Sequence, residues 1–149
     1  MKIIVDTNIA FSAILNTNSK IARILLQPRN KFSFYSTEQL LSEIWEHKEK
    51  IKKLSDYSEY ELDKIIRLIT SRIRFINIKL ISIESFNYAE TLTQDVDIDD
   101  TEFVALTEHI EGKLWSGDKK LQKGLIKNGW DKFITTDELF KKTIKRKKQ

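Results

Sequence analysis

Four carboxylates stand at positions where a folded chain would gather them. Asp6 follows Lys2-Ile3-Ile4-Val5, a mostly β-branched run that reads as a buried strand. Thr7 and Asn8 are turn formers, so the chain leaves the sheet there and Asp6 falls at the C-terminal end of the first strand. Asp118 follows Lys113-Leu114-Trp115-Ser116 in the same way, one residue after Gly117. Asp100 closes the acid-rich stretch Asp95-Val96-Asp97-Ile98-Asp99-Asp100 at the mouth of a helix, and Glu43 lies on the helix after the second strand. In open α/β sheets the ligand crevice lies beyond the C-terminal ends of the strands. Acids gathered there repel and raise one another's pKa unless a cation joins them. Oxygen-only donors suit Mg²⁺ or Mn²⁺, and the chain has no Cys and only His47 and His109 to favour zinc. One or two such ions can activate water and stabilise in-line displacement at a phosphodiester.

Each acid also has a plainer reading. Asp6, Asp99 or Asp100, and Asp118 are good helix N-caps, and Glu43 by itself reads as a solvated helix residue. His47 and His109 read as surface or helix-side residues, and the Trp and Tyr side chains as packing rather than base-stacking platforms.

The elements that must position these acids alternate. Strands are predicted at 2–5, 32–35, 75–78, 113–116 and 132–135. Ile9–Leu15 reads as a short helix, and Ile21, Ile24 and Leu25 as a second one ending before Pro28. Ser36 with Gln39 has the form of a capping box for a helix with Leu40, Leu41, Ile44 and Trp45 inward, continuing through His47 toward Leu54. Ser58 with Glu61 is a second capping box, followed by the stripe Leu62, Ile65, Ile66, Ile69, Ile73. Helices are expected at 85–93, from 103 to Gly112, and at 119–126, with a last one starting at Thr136 and fraying into a basic tail. This pattern predicts a three-layer α/β/α domain with a mainly parallel five-stranded sheet and a helical hairpin inserted over 37–73.

The 149 residues form one domain, taken as 1–140, followed by a basic segment at 141–149. That segment holds six of the 26 Lys and Arg and no acid; without it, 20 cations face 22 acids, so the net charge of +4 becomes −2. A basic face for nucleic acid across the whole domain therefore does not follow from the pI. No apolar run reaches the ~20 residues of a membrane span, no signal peptide opens the chain, and the absence of Cys fits a cytoplasmic location.

The chain resembles a PIN domain, the nuclease fold of toxin ribonucleases and RNA-processing enzymes. Four segments carry the resemblance in family order: Ile3–Ile9, Leu40–Ile44, Asp97–Leu106 and Leu114–Leu121. The resemblance implies Mg²⁺- or Mn²⁺-dependent cleavage of single-stranded RNA, with Asp6, Glu43, Asp100 and Asp118 as the catalytic acids and Asp6, Asp100 and Asp118 as metal ligands. Asn8 and Ser116 resemble polar site-lining positions. Lys119-Lys120 stand where many members carry a further acid, which leaves one or two metals open, with Asp97 or Asp99 as substitutes. The partners implied are single-stranded RNA, an antitoxin protein if the chain is the toxin of such a pair, and a second copy of the chain.

Other classes fit less well. None of the four Gly lies in the first βα turn, against a Rossmann or P-loop nucleotide site. An aspartyl-nucleophile phosphatase generally wants a second Asp two residues after the first, and Asn8 stands there. The serious alternative is a non-catalytic PIN-like RNA-binding or scaffold domain.

Overall fold

The computed structural model describes residues 1–28 and 31–148, with side chains described through Thr143. Five strands, β1 (Lys2–Val5), β2 (Ser33–Thr37), β3 (Ile73–Ile76), β4 (Lys113–Trp115) and β5 (Phe133–Ile134), form one sheet in the order β3-β2-β1-β4-β5. Every pairing is parallel. β1 is the central strand because it can be buried on both faces: Ile3, Ile4 and Val5 are fully inaccessible to solvent. Its first residue pairs Lys2 with Ser33, and its last pairs Val5 with Trp115.

Helices α1 (Thr7–Leu15) and α2 (Lys20–Leu26) connect β1 to β2; α3 (Glu38–Glu46), α4 (Lys48–Ser55) and α5 (Glu59–Thr70) connect β2 to β3. α6 (Ile83–Thr93) and α7 (Thr101–Ile110) lead to β4, α8 (Lys119–Lys127) joins β4 to β5, and α9 (Thr136–Lys148) follows. α7 packs across β1, β2 and β4 and against α6, while α1 packs with α2, α3, α4 and α5, and α2 with α9. The result is the expected three-layer α/β/α architecture with an all-parallel sheet. Gly112 permits the tight join of α7 to the sheet: a Cβ there would lie 2.6 Å from Ile4 Cδ1 and 2.8 Å from the carbonyl oxygen of Lys2.

Several local expectations change. Thr7 and Asn8 do not form a turn; they start α1, because Asp6 caps it. The predicted Ser36–Gln39 capping box is absent. Ser36 stays in β2, fully buried, and its hydroxyl donates to the carbonyl of Val5 at 2.8 Å, so a cross-strand bond outcompetes the cap. Trp45 is 53% exposed rather than inward, with the Lys48 ammonium 5.4 Å from its ring. The helix expected to run through His47 divides there, and α4 ends at Asp56 in the left-handed conformation (φ 60°). The inserted segment is thus three helices without an intervening strand. The Ser58–Glu61 capping box is present in both halves. β3 comes two residues earlier than predicted because Ile73 continues the chain into the sheet instead of ending the α5 stripe. The last helix is capped by Thr135, which exchanges bonds with Glu138. α9 runs to Lys148; beyond Thr143, the side chains of the basic segment expected at 141–149 lie outside the described residues.

Candidate active site

The sheet order puts β1 and β4 side by side, and the connections from them depart to different parts of the fold. A crevice at such a switch point is the expected ligand site of a parallel sheet. An open cleft of about 420 Å³ lies here. Asp6, Asn8, Glu43, Asp97, Asp99, Asp100 and Asp118 all line it, as do Thr7, Gln39, Glu46, His47 and Phe103.

Asp6 and Asp118 reach the cleft by the same local device. Each ends the segment after a strand and caps the following helix: Ile9 N–H donates to Asp6 Oδ1 at 2.9 Å, and Leu121 N–H donates to Asp118 Oδ1 at 3.1 Å. Capping and cleft lining are therefore compatible; the cap fixes the carboxylate and directs it to the sheet end. Ser116 lies behind the two acids, 2% exposed. Its Oγ accepts from the Asp118 N–H at 3.1 Å, and it hydrogen-bonds Asp6. It supports the site from behind, whereas Asn8 lines it directly.

Asp100 differs from the expected cap. It occupies the N-cap position of α7 but makes no side-chain cap bond. Asp97 makes a local bond instead, accepting from the Asp99 N–H at 3.0 Å. The acid-rich loop is held at its base by the buried Thr93–Thr101 hydroxyl contact at 2.6 Å. Against α8 it is held by Val96: a Cβ on Gly124 would come within 2.6 Å of that side chain. Glu43 receives the Gln39 amide at 2.6 Å on Oε1.

The electrostatics follow from this crowding. Burial pushes the Asp6 carboxyl up to about 6, helped by the charges of Asp118 and Glu43 and opposed by the bonds from Ile9 and Ser116. Burial also pushes Asp100 up to about 7, with the charges of Asp97, Asp6 and Asp118 adding to it. Glu102 is raised too, first by burial and then by the Glu43 charge, against a hydrogen bond from Thr37. Among the described residues, no Lys or Arg forms an ion pair with Asp6, Glu43, Asp100 or Asp118. Burial and unpaired like charges together account for the raised carboxyls.

The donor set can be tested against a divalent cation. All the converging donors are oxygens, the chemistry that Mg²⁺ and Mn²⁺ prefer, and the raised carboxyls would be relieved by a positive charge. Among the described residues, however, no group of three or more His, Asp or Glu side chains is arranged to hold an ion as it stands. The donor chemistry and charge fit, and a coordination shell would need side-chain adjustment.

Several cleft residues carry other readings in the sequence: Gln39 as half of a capping box, His47 as a surface residue and Thr7 as a turn former. Gln39, Glu46 and His47 lie at spacings −4, +3 and +4 from Glu43, the signature of a shared helix face, and that spacing was the available signal. His47 also meets Phe11 edge-on, with centroids 5.9 Å apart. Thr7, 8% exposed, has a buried Oγ1 without a hydrogen-bond partner; nothing in sequence distinguishes it from an ordinary helix-start residue.

No curated protein matches the chain. The PIN domain family matches residues 4–143, which includes every acid of the cleft. The chain belongs to the PIN domain family, whose members are generally nucleases and usually use divalent metal ions.

Proposed function

We propose that the protein is a Mg²⁺- or Mn²⁺-dependent endoribonuclease acting on single-stranded RNA, with Asp6, Glu43, Asp100 and Asp118 as its catalytic acids. The observation that carries this reading is the convergence of these four carboxylates on one cleft without a paired cation among the described residues. Asp6, Asp100 and Asp118 would hold the metal. The bound ion would activate water and stabilise charge at the phosphodiester.

The chain's own residues divide the remaining work. The cap bonds from Ile9 and Leu121 each tether one carboxylate oxygen, Oδ1, of Asp6 and Asp118. Ser116 links the Asp6 carboxylate to the backbone N–H of Asp118, so the Asp6 side chain and the start of α8 are set relative to each other before any ligand arrives. Asn8, exposed at the first turn of α1, can meet an RNA phosphate or base edge with its amide.

The test is cleavage of single-stranded RNA by the wild type and by Asp6→Asn, with Mn²⁺ and with chelator. Metal-dependent cleavage lost in the variant supports the reading; equal cleavage by the two proteins rejects it. A second reading, a non-catalytic PIN domain that binds RNA, is favoured by the lack of three acids arranged to hold an ion among the described residues. It predicts RNA binding without cleavage at any Mn²⁺ concentration. A toxin role with an antitoxin partner, acting in the cytoplasm, belongs to the first reading. Its test is growth arrest on expression of the wild type and none with Asp6→Asn.

A further inference from the structure

We propose that Gln39 is a positioning residue whose amide ties Glu43 to the acid-rich loop and so sets the cleft for the metal; the proposal rests on the metal-nuclease reading above. Gln39 sits on α3, one turn before Glu43. Its amide nitrogen donates to Glu43 Oε1 at 2.6 Å and to the carbonyl oxygen of Asp99 at 3.3 Å. A helical Gln–Glu pair at this spacing is ordinary. The reach to Asp99, sixty residues away, is not explained by helix pairing.

The carbonyl of Asp99 belongs to the peptide unit that leads into Asp100. Asp100 has no side-chain cap bond to α7 and shares a side-chain hydrogen bond with Asp97, so its direction depends on how the backbone of the 97–100 loop is held. The loop is fixed at its base by Thr93 and Thr101, and on the α8 side by Val96 against Gly124. Gln39 supplies the tie from α3, across the cleft. An amide suits this role because it is neutral. A Lys at the same place would hold the carboxylate but neutralise it, and a Glu would repel it. Gln holds Glu43 while leaving its charge for a cation.

The full chain carrying Gln39→Met, which keeps length and removes both donors, is compared with the wild type. Amide hydrogen exchange at 97–101 is followed without metal, Mn²⁺ binding by titration, and RNA cleavage across Mn²⁺ concentrations. Expected are faster exchange at 97–101, an unchanged unfolding midpoint, and Mn²⁺ affinity weaker by roughly 10–100-fold, as for loss of a group that orients a metal ligand. Cleavage should recover at saturating Mn²⁺, which a damaged fold would not allow. Gln39→Asn, which keeps the amide but withdraws it by one methylene, should reproduce both losses and serves if the Met variant does not fold. Exchange and Mn²⁺ affinity both equal to wild type would overturn the proposal. If the wild type neither binds Mn²⁺ nor cuts RNA, the nuclease reading falls, while exchange at 97–101 in the variants still decides whether the tie exists.

Discussion

Two groups of acids in this molecule have opposite fates. Glu59 and Asp63 on α5 face Lys48 and Lys52 on α4, with contacts of 2.6–2.8 Å. Hydrogen bonds from Lys48 and Lys52 hold the Glu59 carboxyl down at about 2. At the sheet end, Asp6 and Asp100 have no such partners among the described residues and are pushed up to about 6 and about 7, first of all by burial. The residue types are the same. The difference is whether the fold supplies cations and solvent. The first group staples two helices; the second holds unneutralised charge at the site where β1 and β4 end, which is costly unless a ligand cation completes it.

The largest expected effect breaks the acidic side. Asp6→Asn keeps an Oδ1 acceptor for the Ile9 cap but removes a charge that a metal would need. Cleavage in Mn²⁺ should fall by more than the roughly 10–100-fold that loss of a group orienting a metal ligand costs. Asp118→Asn should behave alike. Gel-based cleavage of a single-stranded substrate, with the folded state checked by circular dichroism, measures both.

A second prediction concerns pH. Both raised carboxyls bind more protons in the native than in the unfolded state between their ordinary value of 3.8 and about 6 or about 7. Stability of the metal-free protein should therefore fall as pH rises through that window and be fully favoured below it. For the buried Asp6, the rise from 3.8 to about 6 corresponds to about 3 kcal/mol between protonation states. Asp6→Asn should raise the metal-free Tm at pH 8 and have much less effect at pH 4. A variant that destabilises at pH 8 would contradict the unpaired-charge account. Saturating Mn²⁺ should reverse the trend, stabilising the wild type most at high pH, because it binds only the native site.

The stapled side gives a smaller effect with the opposite sign. The Glu59 carboxyl is held below its ordinary value of 4.5, at about 2. Its contribution is present above the unfolded value and is lost as pH falls from 4.5 toward 2. Glu59→Gln should lower Tm slightly at pH 7 and not at pH 2. The difference should shrink in 1 M salt, where the screening length falls to about 3 Å. Cleavage should be unchanged.

The smallest effect is expected from the basic segment. Replacing Lys145, Arg146, Lys147 and Lys148 by Gln removes four of the chain's 26 cations. RNA binding should weaken and its salt dependence flatten, the slope changing by at most ~0.7 for each single-strand phosphate that is no longer neutralised. Cleavage-site preference should not move, because phosphate contacts carry no base information. A changed cleavage pattern in sequencing gels would argue that the segment reads bases.

Much of the scaffold was legible because its signals are local. Ile3-Ile4-Val5 before Asp6 is apolar enough to need burial on both faces. Ser58 and Glu61 satisfy each other within one turn, so that cap formed as written. Asp6 follows β1 directly, Asp118 follows β4 after two residues, and each caps the next helix, so their direction was set by neighbours in sequence.

What tertiary structure decided depends on groups far apart along the chain. Ser36 looked like a cap until β1 came alongside and offered the Val5 carbonyl. Trp45 fits an apolar stripe, but only Leu40 and Ile44 are buried on α3. β3 began at Ile73 because β2 offered a parallel partner from Phe34 onward. Charge pattern located the acids, yet which of them hold protons depends on burial and on the absence or presence of Lys from another helix. A sequence prescribes strands, caps and apolar faces through short-range chemistry. Desolvation and charge pairing are sums over the packed neighbours, and those exist only once the chain has folded.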